Sequence, residues 1–258
     1  MTSSACCNAG PPLVGGDYVE KGTFSEMQDS RGSIPIYTVG PSTLARNEKE
    51  KVSGVLLLPD IFGFCEINRN IFRIADRLAE WGYFVLLIDP FRGTPWTHDR
   101  ERFPPPPAQN IKEWIATHDD QEAEVLSLCQ KFLQDRGCHR CATIGFCWGA
   151  SRALHAMTSV PNYYLCSLSF HPSNVAPEDV AAVEGPVMFC PCKDDQSLEP
   201  IADAIKDKQW AHDCILQRFD DMSHGFMTAR GDWSDIAVGK RVEDAFSMMQ
   251  TFLRKHLG

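Results

Sequence analysis

The chain has 258 residues, a formal net charge of -9, 43% hydrophobic and 23% charged residues. That mixture excludes a disordered chain and allows a sizeable core, while the negative balance and scattered basic residues disfavour binding to phosphate backbones, so nucleic acid is not an expected partner. No apolar run reaches the roughly 18 residues that span a bilayer, and Met1–Cys7 has neither a basic nor an apolar leader segment; with an odd count of 11 cysteines this implies free thiols in a reducing compartment, best assigned to the cytoplasm, with no membrane contact.

Residues 1–22 are rich in Gly, Pro and small polar residues and read as an irregular lead-in, with Cys6-Cys7 at a loose terminus carrying no specific role. Residues 23–258 read as one domain. Thr23-Phe24-Ser25 and Ile34–Val39 flank the turn Asp29–Gly32 and predict an antiparallel edge hairpin, which tolerates Pro35 because an edge strand has one side free of ladder bonds. Val55–Leu58 shows no alternation, as a strand buried on both faces requires. After Pro59–Gly63, Ile67, Ile71, Ile74, Ala75 and Leu78 recur at helical spacing and Gly82 stops the helix. Tyr83–Ile88 is a second buried strand, completing a βαβ unit with a right-handed crossover.

Residues 93–118 break this rhythm with Pro104–Pro107, Trp96 and Trp114, which predicts a lid, a binding loop or a solvated polyproline spacer. A helix follows over 119–134, with Val125, Leu128, Cys129 and Phe132 on one face. Cys141–Gly145 then reads as a strand and Trp148–Thr158 as a helix. Strands at 165–170, 186–190 and 214–219, a helix at about 198–210 and a last helix with Val242, Ala245, Phe246, Met249, Phe252 and Leu253 on one face complete the chain. The fold class is therefore α/β, a mostly parallel central sheet with helices on both faces, and such sheets bind ligands beyond the C-terminal strand ends.

Gly145-Phe146-Cys147-Trp148-Gly149 sits between a strand and a helix as a G-x-C-x-G nucleophile elbow. The flanking positions must be small for strand and helix to approach, and the first N–H groups of the helix face the sulfur. Hydrolases on this architecture carry nucleophile, acid and histidine in that chain order, each after a strand. Cys147, then Asp194 and Asp195, then His224 satisfy it. His224 is the preferred base; His171 also ends a strand but precedes the acid. Asp194 is preferred to Asp195 as the group that orients the imidazole. The C-x-x-C pair Cys138 and Cys141 lacks a second pair at zinc-binding separation, Cys190-Pro191-Cys192 brackets the acid loop, and no phosphate-binding glycine motif is present, so no metal or cofactor is expected.

From Gly22 to the C-terminus the chain resembles the dienelactone hydrolase family of the α/β-hydrolase fold, on Asp60-Ile61-Phe62-Gly63, the cysteine elbow, Lys193-Asp194 and His224-Gly225-Phe226. The resemblance implies a Cys147-His224-Asp194 triad and an oxyanion hole from the backbone N–H groups of Ile61 and Trp148. Asp60 stands where the family commonly has a thiol-activating glutamate, one methylene longer. Arg230 lies in the loop that holds a substrate-binding arginine in family members, displaced from its usual position. The implied activity is cofactor-independent hydrolysis of a small ester or lactone, as in carboxymethylenebutenolidases, through a thioester acyl-enzyme, by a monomer or weak homodimer. Thioesterase or broad carboxylesterase activity is the neighbouring alternative. A non-catalytic redox-sensing or ligand-binding module built on Cys147 is the alternative of another class.

Overall fold

A computed structural model describes residues 18–41, 52–96, 111–119 and 122–258. Its eight strands are β1 (Thr23–Asp29), β2 (Gly32–Val39), β3 (Gly54–Leu58), β4 (Phe84–Ile88), β5 (Cys141–Phe146), β6 (Tyr164–Phe170), β7 (Val187–Cys190) and β8 (Ile215–Leu216). They form one sheet in the order β1-β2-β4-β3-β5-β6-β7-β8. The β1–β2 and β2–β4 ladders are antiparallel and the others parallel.

Alternation along the strands explains the two layers of helix. Val55, Leu57, Val85, Leu87, Ala142 and Ile144 point to one face, where they meet α1 (Arg69–Glu80) and later the C-terminal helix. Leu56, Leu58, Leu86 and Ile88 point to the other face, against α3 (Glu122–Asp135) and α4 (Gly149–Ser159). Between α1 and α3 in the chain lies α2 (Ile111–Asp119); after α4 come α5 (Pro177–Ala182), α6 (Glu199–Ile205) and the C-terminal α7 (Ile236–Leu257). Each fully buried aliphatic side chain of this kind contributes about 1.5–3 kcal/mol, so both faces need cover. Asp235 caps α7 by accepting from the N–H groups of Ala237 and Val238.

Several local readings change. β2 is not an edge strand: β1 is, and β2 pairs with β4 through Ile36–Val39. Pro35 is accommodated because it lies just outside that ladder, where its carbonyl accepts from Asp89 N at 2.8 Å. The 93–118 stretch holds α2, followed by the separate α3, where one helix was expected from 119. The regular part of the last strand is Ile215–Leu216, and the chain continues alongside β7 beyond it, with Gln217 N donating to Phe189 O at 3.1 Å, Phe219 N donating to Pro191 O at 2.9 Å and a bridge between Cys192 and Phe219. Cys6, Cys7 and Pro104–Pro107 lie outside the described residues. Among the described residues no helix is long and apolar enough to cross a membrane, and no group of three or more His, Cys, Asp or Glu is arranged to hold a metal ion. Cys138 and Cys141 are buried against Gly54 instead.

Candidate active site

The centre of the site is the turn from β5 to α4. Cys147 has φ 52°, the left-handed region that a non-glycine residue occupies at a cost, and it is 2% exposed. Phe170 O accepts its N–H, and its carbonyl accepts from Ala150 N and Ser173 N, so the strained residue is held on several sides. A Cβ on Gly145 would lie 2.2 Å from Gly149 O, and one on Gly149 would lie 2.5 Å from Leu58 O. Both positions therefore require glycine. Thr143 in β5 donates to Ala153 O at 2.9 Å and ties the strand to the helix it feeds.

Two loops bring Asp195 and His224 together. After β7, Asp195 Oδ2 accepts from Cys192 N at 2.7 Å, folding the carboxylate back into a tight turn. Arg218 steadies that turn from outside by donating to the carbonyls of Lys193, Asp195 and Gln196. Asp195 Oδ1 then accepts from His224 Nδ1 at 2.6 Å, and both side chains are fully buried. Asp194, the residue preferred from the sequence, is exposed. The difference between the two aspartates has a local cause: the side chain that reaches back to Cys192 N is the one turned inward, and its neighbour points to solvent. Because the carboxylate can only accept, His224 carries its proton on Nδ1 and presents Nε2 as the basic nitrogen.

Ile61 follows β3 and Trp148 follows Cys147; with Phe62, Phe91, Trp96 and Ala229 they form one buried apolar cluster around the thiol. Phe91 packs in tilted contact against Trp148, 4.9 Å between centroids, and against Trp114 of α2 at 4.7 Å, which makes one wall of the site aromatic. Next to Trp148 is a cavity of about 260 Å³ whose lining is mixed, with Leu58, Ile88 and Leu126 beside Arg92, Glu122 and Arg152.

Asp60 is buried with its oxygens saturated by donors: Phe62 N at 3.0 Å, Asn68 Nδ2 at 2.9 Å, Ala229 N at 3.4 Å and the Thr228 side chain. Burial pushes its pKa up, against the pull of those donors. Arg230 lies with its guanidinium over the Phe62 ring, 5.0 Å from the centroid. Arg92 pairs with Asp29 and donates to Gly32 O and Ser33 O, so its charge serves the β1–β2 hairpin.

The sequence reading did not single out Asn68 or Asn70. Asn68 also donates to Gly63 O at 3.1 Å, while Asn70 donates to Thr228 O at 3.0 Å and Gly231 O at 2.8 Å. One short segment thus fastens both the Asp60 loop and the His224 loop. The available signal was a pair of amides at the start of an otherwise amphipathic helix, a place where a structural amide and a solvated one look alike.

Comparison with known proteins agrees with this architecture. Residues 41–257 match the model of the dienelactone hydrolase family. The chain is 28% identical to the hydrolase pyvD of Aspergillus violaceofuscus, covering all of this chain and 99% of that protein. It is 24% identical to a carboxymethylenebutenolidase homolog of Rattus norvegicus, over 83% of this chain and 86% of that protein. A dienelactone hydrolase structure from Anabaena variabilis superposes with a TM-score of 0.62 at 16% identity, covering 93% of this chain and all of that one, a likeness of fold. The sheet order, the strained cysteine turn and the match over most of its length show that this chain belongs to the dienelactone hydrolase family, with the α/β-hydrolase fold and the character of an ester-bond hydrolase.

Proposed function

We propose that the protein hydrolyses a small ester or lactone without a cofactor, using Cys147 as nucleophile, His224 as base and Asp195 as the residue that orients His224. The observation that carries this reading is the buried 2.6 Å bond between His224 Nδ1 and Asp195 Oδ1. It leaves Nε2 as the proton acceptor and stabilises the imidazolium once formed. His224 Nε2 takes the thiol proton and the sulfur attacks the carbonyl carbon. The carbonyl oxygen gains charge and is met by the backbone N–H groups of Ile61 and Trp148. Collapse expels the alkoxide, which takes the proton from His224. Water, deprotonated by the same nitrogen, then cleaves the thioester and frees the thiol. Losing one such oxyanion donor costs on the order of 3 kcal/mol of transition-state stabilisation.

A small acyl group beside the thiol is supported by the apolar cluster of Ile61, Phe62, Phe91, Trp96 and Trp148 that surrounds it. In place of the thiol-activating role implied for Asp60, its bonds to Asn68 and to the 228–229 segment support a role in joining two loops. The test is hydrolysis of p-nitrophenyl acetate and of a small neutral lactone by wild type, Cys147→Ala and His224→Ala. Turnover by wild type that both variants lose supports the reading; a single stoichiometric acylation of Cys147 without turnover overturns it.

A further inference from the structure

His171 ends β6 with φ 37° and is completely buried, yet the proposed chemistry does not use it. Its ring meets the His224 ring edge to face, 5.0 Å between centroids with planes at 69°, and Phe146 and Phe226 flank it at 5.6 and 6.3 Å. Its Nε2 lies 3.3 Å from Thr228 Oγ1, and the Thr228 side chain is in turn bonded to Asp60. A threonine hydroxyl has one hydrogen, and the Asp60 carboxylate takes it. The remaining partner for His171 on that oxygen is a lone pair, so Nε2 must be the protonated nitrogen. Nδ1 is then a bare acceptor, buried with no hydrogen-bond partner among the described residues.

We propose that His171 is a positioning residue for His224, held by the Asp60–Thr228–His171 chain as a neutral ring in the Nε2–H tautomer. The role rests on the hydrolase reading above. Two consequences follow from the geometry. First, the chain joins the loop that carries Ile61 to the loop that carries His224, so oxyanion donor and base move as one unit. Second, the ring gives His224 a fixed and uncharged neighbour at the moment it becomes a cation. Burial, together with the nearby His224 and Arg230, holds the His171 pKa well below the usual histidine value. Phenylalanine would fill the same space without leaving a buried acceptor unsatisfied. The presence of a histidine is accounted for by the bond its Nε2–H makes to Thr228.

Three variants separate these contributions. His171→Phe keeps a ring and loses the donor, His171→Gln keeps a donor of similar reach and loses the ring, and Thr228→Val removes the acceptor. With p-nitrophenyl acetate, His171→Phe and Thr228→Val are each expected to lower kcat roughly 10- to 100-fold, the scale of misplaced catalytic groups, with KM changed less than about threefold. The double variant should be no slower than the worse single one, because both break one chain. His171→Gln should recover most of the kcat lost in His171→Phe. A His171→Phe enzyme within about twofold of wild type, or losses that multiply in the double variant, overturns the proposal.

Nitrogen-15 NMR of imidazole-labelled protein supplies a readout independent of turnover. The expected His171 signal is a neutral Nε2–H ring near pH 7, with the pattern altered in Thr228→Val. An Nδ1–H or doubly protonated ring in an active enzyme overturns this role alone. Absence of turnover in wild type with the Nε2–H tautomer intact overturns the hydrolase reading, and the positioning role with it.

Discussion

The site has two unlike walls. On one side directional hydrogen bonds join His224 to Asp195, and His171 through Thr228 to Asp60, and tie Asp195 and Asp60 to backbone groups. On the other, Phe91, Trp96, Trp114 and Trp148 meet ring against ring, with centroid distances of 4.7 to 5.6 Å. Hydrogen bonds fix angles and distances to tenths of an ångström, and a buried polar group that loses its partner is penalised in full. Ring contacts constrain volume and leave orientation softer. The polar wall is thus suited to hold reacting groups, and the aromatic wall to decide which acyl or alcohol group fits beside them.

Breaking the reaction itself should give the largest effect. Cys147→Ala is expected to lower kcat/KM at least about 10⁴-fold, whereas no change on the aromatic wall should approach that. The polar wall is next: Asp195→Asn should lower kcat by about 10²- to 10⁴-fold by disturbing the His224 tautomer, while Asp194→Asn stays within about twofold of wild type. Equal losses in the two variants would contradict the buried Asp195–His224 bond as the origin of orientation. On the aromatic wall, Trp114→Ala should alter the ratio of kcat/KM for aryl against acetyl esters by roughly 10-fold, with a smaller change in acetate turnover alone.

A chemical probe sharpens the same contrast. Burial pushes the thiols of Cys65, Cys129 and Cys138 up to about 12 and that of Cys141 to about 11. Few thiolates therefore exist at these four positions near neutral pH. Iodoacetamide at pH 7.5, mapped by peptide mass, should label Cys147 faster than any of them, and in His224→Ala that advantage should shrink.

The smallest effect lies away from both walls. His155 Nδ1 meets Glu122 Oε1 at 2.6 Å, and this bond raises the His155 pKa above its usual value despite partial burial. Its folded pKa is raised, so the added stability is full below the unfolded value, near 6.5, and fades as pH climbs through the folded value. The Tm advantage of wild type over His155→Gln should be clear at pH 5.5 and narrow by pH 8.5. A gap that widens with pH would contradict it.

Much of this architecture is legible along the chain. Unalternating runs such as Val55–Leu58 announce a sheet covered on both faces, and the period of Ile71, Ile74, Ala75 and Leu78 announces the helix that covers one of them. Two glycines around Cys147 mark the elbow, since strand and helix backbones approach there too closely for a Cβ. Order along the chain likewise proposes nucleophile, acid and histidine.

Other features depend on which atom turns inward, and sequence spacing carries no such information. Asp194 and Asp195 are chemically identical neighbours; only the turn closed on Cys192 N makes one buried and the other exposed. Pro35 marks β2 as an edge strand by its chemistry, but the ladder with β4 begins one residue later. The joining of His171, Thr228 and Asp60 links the ends of three segments far apart in the chain. Composition and periodicity determined the layers of this protein because apolar burial depends on how much surface is hidden. Tertiary structure alone decided its polar contacts, because a hydrogen bond exists only where a particular donor and acceptor meet at the right distance and angle.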